Sequence, residues 1–487
     1  MTDTFERAAP PSPVATAGKI VLLTLLLAEF MIQIDATIVN VSLPSIQQDL
    51  GFTGTSLAWV VNGYMLCYGG LLLLGGRLAD VYGRRLVLMT GVSVFTAASV
   101  LCGLAGDPVV LVLARALQGI GAAAAAPAVL SLIITSFREG AERNGALAAW
   151  GGASAGGSLF GLLIGGVLTS TVDWRWIFYI NVPVGLAIVA LAPFVLKESR
   201  AASRPSLDAG GAITITAALL VITYALLGAH GGAGLDLGSV GLLVLGALLL
   251  AVFVAVEKRH HEPLIPMSLF ANRNTAGSLG ATALFGTTQM GYFFFVTLYL
   301  QNVLGFSAIQ TGLSYLPLIA ALAVTTTLAN KIIAARGVKA ALVPGLVLII
   351  AGLGWLSQVP VDGSWVGDVL GPTVLAGLGI GLTFVPLSIS ATSGVDPRDA
   401  GAVSGLFNVA VLIGGSIGIA VLTIASGLTG EIPMLPLSTP TPEAIGGFQG
   451  VFLTGAGLAV LALLVCAAVL RVPHAPAAVP EEEKETA

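Results

Sequence analysis

Charge is what this sequence lacks most: Asp, Glu, Lys and Arg make up 9% of its 487 residues, against 56% hydrophobic, and its mean hydropathy is +0.95. A water-soluble chain carries roughly 25% charged residues. A solvated globular surface is therefore excluded, and most of the exterior must face lipid. Cysteine is scarce too, with Cys67, Cys102 and Cys466 all inside apolar runs, so a disulfide framework or thiolate metal site is excluded and the three read as small hydrophobes in helices. The four histidines, His230, His260, His261 and His474, form no metal-ligand constellation. There is no basic stripe to bind nucleic acid, and no Gly-rich Lys-Ser/Thr loop to cradle a nucleotide phosphate, so direct ATP driving is unsupported. With no cluster of acids, histidines or cysteines and no sizeable soluble domain, the chain is expected to be neither an enzyme nor a sensor, and to carry no cofactor. Arg outnumbers Lys, and Ala and Gly are abundant, which hints at a GC-rich bacterial genome.

Long apolar runs are what it has instead. A bilayer core needs about 20 apolar residues per helix. Six runs lie near 20–43, 57–77, 86–105, 109–134, 145–170 and 176–196. Two follow near 208–229 and 237–256, and six more near 276–300, 311–331, 340–358, 367–388, 402–427 and 448–470. The first run is too long for a signal-peptide core and has no cleavage site, so it is read as a retained helix. An even count puts both termini on one side. That side then takes all of the 21 Lys and Arg residues except Arg175, in an opposite loop, and Arg115, inside a helix. By the positive-inside rule both termini are cytoplasmic.

The organisation predicted is all-α and polytopic: residues 1–18 a disordered lead, 19–197 a six-helix bundle, 206–257 two inserted helices, 274–471 a second six-helix bundle, and 472–487 a disordered acidic tail. A duplication is traceable in the loops. Gly76 to Arg85 follows helix 2, and Asn330 to Lys339 holds the matching place after helix 10, with a Gly and two basic positions aligned and Ala334 where the first copy has its acid. Parallel repeats of this kind place a substrate site near the midplane between halves.

Three ionisable residues fall deep inside runs: Glu29, Asp35 and Arg115. A charge at mid-bilayer costs roughly 2.5–3.5 kcal/mol on insertion scales, so function is the first hypothesis for each. Counting from the run ends at 1.5 Å per residue puts Asp35 roughly 12 Å and Arg115 roughly 9 Å from the outer surface, close enough in depth to pair. Burial works against a charged carboxylate and a guanidinium works for it, opposing pulls that can set Asp35 to load and release a proton. A static ion pair joining two helices is the alternative. Glu29 sits six residues before Asp35, about 240° round the helix, so the two do not share a face. It is open to three roles: binding a cationic substrate, carrying a proton, or packing in the protonated form.

Helix 5 carries Gly157, Gly161 and Gly165 at four-residue spacing with Gly166 beside them, a face on which another backbone can approach closely. Gly414, Gly415 and Gly418 on helix 13 and Ala122 to Ala126 on helix 4 repeat the theme. On helix 9, Gln289, Tyr292 and Phe293 head an amide and aromatic cluster that would stack on flat lipophilic ligands if it faces a cavity, and otherwise packs or meets lipid.

These motifs resemble the major facilitator superfamily, and within it the fourteen-helix drug–proton antiporter branch (EmrB/QacA-like). Gly76-x-Leu78-Ala79-Asp80-x-x-Gly83-Arg84-Arg85 is similar to the superfamily's loop motif after helix 2. The resemblance implies that Gly76, Asp80, Gly83, Arg84 and Arg85 form a conformational latch. Leu111-x-x-x-Arg115-x-x-Gln118-Gly119-x-Gly121 resembles the helix-4 motif, whose Arg is linked to proton transfer. Ile34-Asp35-x-Thr37-Ile38-Val39-Asn40-Val41-x-Leu43-Pro44 resembles the branch's helix-1 motif, and Trp174 to Pro183 and Leu300-Gln301-x-Val303-Leu304-Gly305 are similarly branch-typical.

Two departures stand out. Leu162 follows Gly161 where the helix-5 motif has Pro, which removes a helix-bending residue. On helix 13, Val411 and Leu412 replace polar residues. The resemblance implies two six-helix bundles plus two inserted helices in a bacterial cell membrane, and a monomer, with an adaptor protein left open. It implies a proton-coupled antiporter of lipophilic drugs or antibiotics, with Asp35 and Arg115 in proton coupling and Glu29, Gln118, Asn181, Gln289, Tyr292 and Phe293 as substrate-binding candidates. The alternative is an exporter or symporter of one metabolite on the same fold.

Overall fold

In hydrocarbon every backbone N–H and C=O must find its partner within the chain, so apolar runs of this length become helices. The computed structural model describes residues 13–201, 206–228, 237–396, 399–430 and 441–470, and no strand occurs among them. Residues 1–12 of the lead and all of 472–487 lie outside the described residues.

The first six crossings are α1 (Pro13–Leu50), α2 (Gly54–Tyr82), α3 (Arg84–Leu104), α4 (Pro108–Ser136), α5 (Ala141–Thr171) and the pair α6 (Trp176–Tyr179) with α7 (Asn181–Val195). The inserted pair is α8 (Ala209–Gly228) and α9 (Leu237–Arg259). The last six are α10 (Arg273–Leu298), α11 (Ala308–Ser314) with α12 (Leu316–Arg336), α13 (Val338–Leu356), α14 (Leu370–Thr392), α15 (Ala400–Thr429) and α16 (Pro442–Val469). Thirteen of these crossings are long and apolar enough to span a membrane on those grounds alone. The fourteenth, α10, is long enough at 26 residues but rich in Gly, Ser and Thr. Neighbouring helices bury most of its length, so its polar residues meet protein rather than lipid.

Three boundaries differ from the sequence reading, each at a proline or a helix end. Helix 1 begins at Pro13, inside the stretch expected to be disordered, and runs through Pro44 to Leu50. Asp35 is therefore fifteen residues from that end, about 22 Å at helical rise, rather than the depth counted from 43. Crossing 6 is interrupted at Ile180 because Pro183 has no N–H for the Tyr179 carbonyl. Crossing 10 is interrupted at Tyr315, where Pro317 does the same to Leu313.

The chain divides into two units, residues 1–220, 247–264 and 307–312 forming one and residues 221–246, 265–306 and 313–487 the other. Inside the first, α1 packs on α5, α2 on α4, α3 on α4 and α7, and α1 on α7 and α4. Inside the second, α10 packs on α15, α12 on α14, α13 on α14 and α16, and α10 on α16 and α14. Crossing for crossing, the two lists are the same, as a duplication requires. The loop glycines agree as well: Gly83 before α3 has φ 121° and Gly337 before α13 has φ 84°. Both lie in the left-handed region that glycine alone enters freely.

Candidate functional site

Asp35 and Arg115 meet at the centre of the first unit, both fully buried, with Arg115 Nη1 donating to Asp35 Oδ2 at 2.5 Å. The pairing expected from sequence is made, by a longer α1 than expected. Two further donors converge on the same carboxylate: Gln118 Nε2 at 3.0 Å and Asn181 Nδ2 at 2.9 Å, both to Oδ1. Gln118 is one turn beyond Arg115 on α4, and Asn181 is the first residue of α7. Both were candidates for touching substrate; in this structure they touch Asp35.

The rest of the shell holds the guanidinium. Arg115 Nε donates to the Val60 carbonyl at 3.0 Å and Nη1 also to Gln118 Oε1 at 2.9 Å. Its planar face lies 4.3 Å from the Tyr64 ring centre and 5.8 Å from that of Phe178, within the range of cation–π attraction. Gln118 is fixed at both ends, since Nε2 also donates to Ser99 Oγ at 2.8 Å and Oε1 also accepts from Cys102 Sγ at 3.2 Å. Two polar atoms at this centre have no hydrogen-bond partner, Arg115 Nη2 and the Tyr64 hydroxyl. A buried guanidinium already short of one acceptor depends heavily on its carboxylate.

Glu29 is buried on the other side of α1, as the 240° offset requires. Gln33 Nε2 donates to it at 2.8 Å, and Trp150 and Ser154 of α5 stand beside it. Gly157, Gly161 and Gly165 form the seam on which α5 lies against α1: a Cβ on Gly161 would stand 2.8 Å from the Ile34 carbonyl oxygen, and one on Gly165 2.7 Å from that of Ile38. Gly166 faces another segment, where a Cβ would be 2.6 Å from the Ala308 carbonyl oxygen. With Leu162 in the motif, α5 continues unbroken to Thr171.

Gln289, Tyr292 and Phe293 belong to the second unit and are not part of this cluster. Tyr292 is buried, donates to Thr373 Oγ1 at 2.8 Å, and packs edge-on with Phe293 and Tyr315 at centroid distances of 5.6 and 6.4 Å. With Gln289 and Thr288 it lines a cavity of about 10 Å³ inside the unit, room for one water.

The residues expected to form the latch flank the α2–α3 turn: Gly76 and Asp80 in the last turns of α2, Gly83 between the helices, and Arg84 and Arg85 at the start of α3. Arg84 Nη2 bonds Asp80 Oδ1 at 3.0 Å. Sequence reasoning missed the acid that organises the turn: Glu198, just beyond α7, accepts the backbone N–H groups of Arg85 and Leu86 at 3.1 and 3.2 Å. These are orphan donors of the first turn of α3, where a carboxylate is favoured. A Cβ on Gly83 would stand 2.6 Å from Glu198 Oε1, so glycine there serves both the turn and the carboxylate. The only signal in the sequence was an acid in the run Lys197-Glu198-Ser199-Arg200 after the sixth crossing. Beside it, Arg77 reaches the Pro263 carbonyl at 2.9 Å, and Glu262 accepts the Ser206 N–H at 2.5 Å. That backbone bond, then the Ser206 hydroxyl and Arg77, holds the Glu262 carboxyl below its ordinary range. Burial also adds two acids that counting within the runs left out, Asp208 and Glu257, at the ends of the inserted pair.

Comparison with known proteins gives a consistent picture. The Major Facilitator Superfamily sequence profile matches residues 25–419. A puromycin resistance protein of Streptomyces alboniger is 40% identical over 84% of this chain and 82% of its own. A cephamycin export protein of Amycolatopsis lactamdurans is 38% identical over 91% of this chain and 90% of its own. Among solved structures, a peptide transporter in complex with sulfate superposes with a TM-score of 0.67 at 16% identity, over 93% of this chain and 96% of that one. That likeness concerns the fold alone.

Proposed function

This chain belongs to the Major Facilitator Superfamily, and from that premise we propose that it is a multi-pass membrane transporter that exports small lipophilic compounds, antibiotics among them, in exchange for protons. The export reading is supported by relatives named for puromycin resistance and cephamycin export. The proton reading is carried by one observation, the fully buried Asp35–Arg115 pair with two amide donors on the same carboxylate.

The chemistry follows from that geometry. As a carboxylate, Asp35 accepts from Arg115 Nη1 and from both amides. When Asp35 takes a proton, Arg115 loses its counter-charge and keeps only neutral acceptors, the Val60 carbonyl and the Gln118 oxygen among them, and the faces of Tyr64 and Phe178. An uncompensated charge in that setting costs several kcal/mol, so the helices bearing the pair are driven to rearrange. Protonation is thereby converted into movement of α4 against α1. One proton crossing 100 mV supplies about 2.3 kcal/mol, enough for a roughly fifty-fold substrate gradient. Glu29, buried on the α5 side of α1, is the candidate for a cationic substrate group, and Asp80, Arg84 and Arg85 for the latch. The basic residues of the loops support a cytoplasmic location for both termini, in a bacterial cell membrane.

The test is ethidium efflux from an exporter-deficient bacterium, with and without a protonophore, for the wild type and Asp35→Asn. Protonophore-sensitive efflux lost in the variant is the expected result. Wild-type rates with full proton coupling in Asp35→Asn would rule out Asp35 as the carrier. A second reading, a carrier dedicated to one metabolite, is favoured by the unbroken α5; it predicts that a panel of dyes is ignored while one compound moves.

A further inference from the structure

We propose that Asn181 is the positioning residue for Asp35, the one partner able to serve its carboxylate and its protonated form alike; the inference rests on the antiport reading above. Three side chains donate to Asp35, and they differ in what else they can do. Arg115 has donors only and cannot accept a proton from a carboxylic acid. Gln118 has an acceptor oxygen, but it already receives Arg115 Nη1 and Cys102 Sγ, and its nitrogen is committed to Ser99 as well as Asp35. That amide cannot turn over without breaking the bonds at both ends. Asn181 comes from a third element, and its amide can present either its NH₂ to a carboxylate or, after a half-turn, its oxygen to a carboxyl hydroxyl.

Its position in the chain suits this role. Asn181 opens α7 directly after the interruption at Ile180 that Pro183 causes, and it is 2% exposed. Its side chain is thus set by the first turn of α7, beside Phe178, which faces the same guanidinium. The outer end of this crossing is itself pinned. Arg175 pairs with Asp49, in the last turn of α1, at 2.8 Å, and Trp174 Nε1 donates to the same carboxylate at 3.0 Å. The same crossing therefore grips α1 at two levels, and only the inner grip changes when Asp35 is protonated.

The ionisable groups around Asp35 are Arg115 from α4, Tyr64 from α2 and Cys102 from α3. Glu29, on its own helix, faces α5, and α5 carries ionisable residues only in its first turn, Glu142 and Arg143. None of these is altered by changing Asn181, so a change in proton response can be traced to the amide.

The measurement is the pH profile of ethidium transport in proteoliposomes, at fixed membrane potential, for the wild type, Asn181→Leu, Asn181→Ala and Asn181→Gln. The amide's bond to the carboxylate is charge-assisted and stronger than its bond to the neutral carboxyl, so losing it costs the ionised form more, and the midpoint should move up by about one pH unit in Asn181→Leu, which keeps the shape without the amide. Asn181→Ala, which lacks both, should move the same way and serves if the Leu variant does not fold. Asn181→Gln should return the midpoint toward the wild type. An apolar variant that transports with the wild-type midpoint, or that loses maximal rate alone, overturns the assignment while leaving antiport standing. Wild-type transport with no proton dependence overturns the antiport reading and this inference with it.

Discussion

At the scale of single residues, the Asp35–Arg115 pair is an investment of solvation that hydrophobic packing alone would not need. Arg115 is the largest fully buried side chain among the described residues, and one of its nitrogens has no acceptor. Breaking such a pair from one side leaves a bare charge and costs about 3–5 kcal/mol, whereas removing both charges is often tolerated. Arg115→Gln should therefore lower the melting temperature in detergent more than the double change Asp35→Asn/Arg115→Gln does. Neither protein should couple substrate to protons. A double variant less stable than either single one would mean that the pair is a structural clamp. The same logic separates Glu29 from Asp35: Glu29 has a neutral amide and α5 side chains around it and, among the described residues, no ion pair.

At the scale of helices, close approach is set by glycine and interruption by proline. The α1–α5 seam exists because Gly157, Gly161 and Gly165 leave room for backbone, and its counterpart in the second unit uses Gly414, Gly415 and Gly418 of α15 against α10. Gly161→Leu should push α5 off Ile34 and Thr37 and destabilise by about 1–3 kcal/mol or more. Gly152 lies on the same helix with nothing within 4 Å of where a Cβ would go. Gly152→Ala should stay within about 0.5 kcal/mol of the wild type, and thermal melting of the two variants side by side checks the contrast. Pro183 and Pro317 act oppositely, freeing a carbonyl and starting a new helix one residue on from the break. In crossing 6 that restart is what delivers Asn181 to Asp35.

At the scale of the whole molecule, the distribution of charge sets the orientation. If both termini are cytoplasmic, the α4–α5 loop with Arg138, next to Arg143 in the first turn of α5, faces the cytoplasm and the α13–α14 loop with Asp362 faces outward. Cysteines placed at Glu139 and at Asp362 test this with a membrane-impermeant maleimide. Intact cells should label only the Asp362→Cys protein, and inside-out vesicles only Glu139→Cys. The reverse pattern would invert the topology and with it the direction of the proposed proton flow. The native cysteines are all buried, so the background should be low.

How much of this was legible beforehand depends on whether the information is local. The helix crossings were, because a bilayer demands a long apolar run: thirteen meet that demand by length and composition, and α10, read as an apolar run near 276–300, is a more polar fourteenth. The Asp35–Arg115 pair was legible because burying a charge is so costly that two opposite charges at similar depth point to each other. The helix ends were not: Pro44 looks like a stop but sits inside α1, since a freed carbonyl in a membrane helix can be satisfied locally. Glu198 looked like an ordinary loop acid, and its capping of α3 spans more than a hundred residues of chain. Gln118 and Asn181 were noticed as polar residues in motifs, but which group they touch depends on three helices meeting at one carboxylate. The sequence by itself determined that this chain lives in a membrane, how often it crosses, and which charges need partners, because each of these is a solvation cost tied to residue type. Only the tertiary structure decided which amides share Asp35 and which acid caps α3, because such contacts depend on how helices distant in sequence rotate and approach.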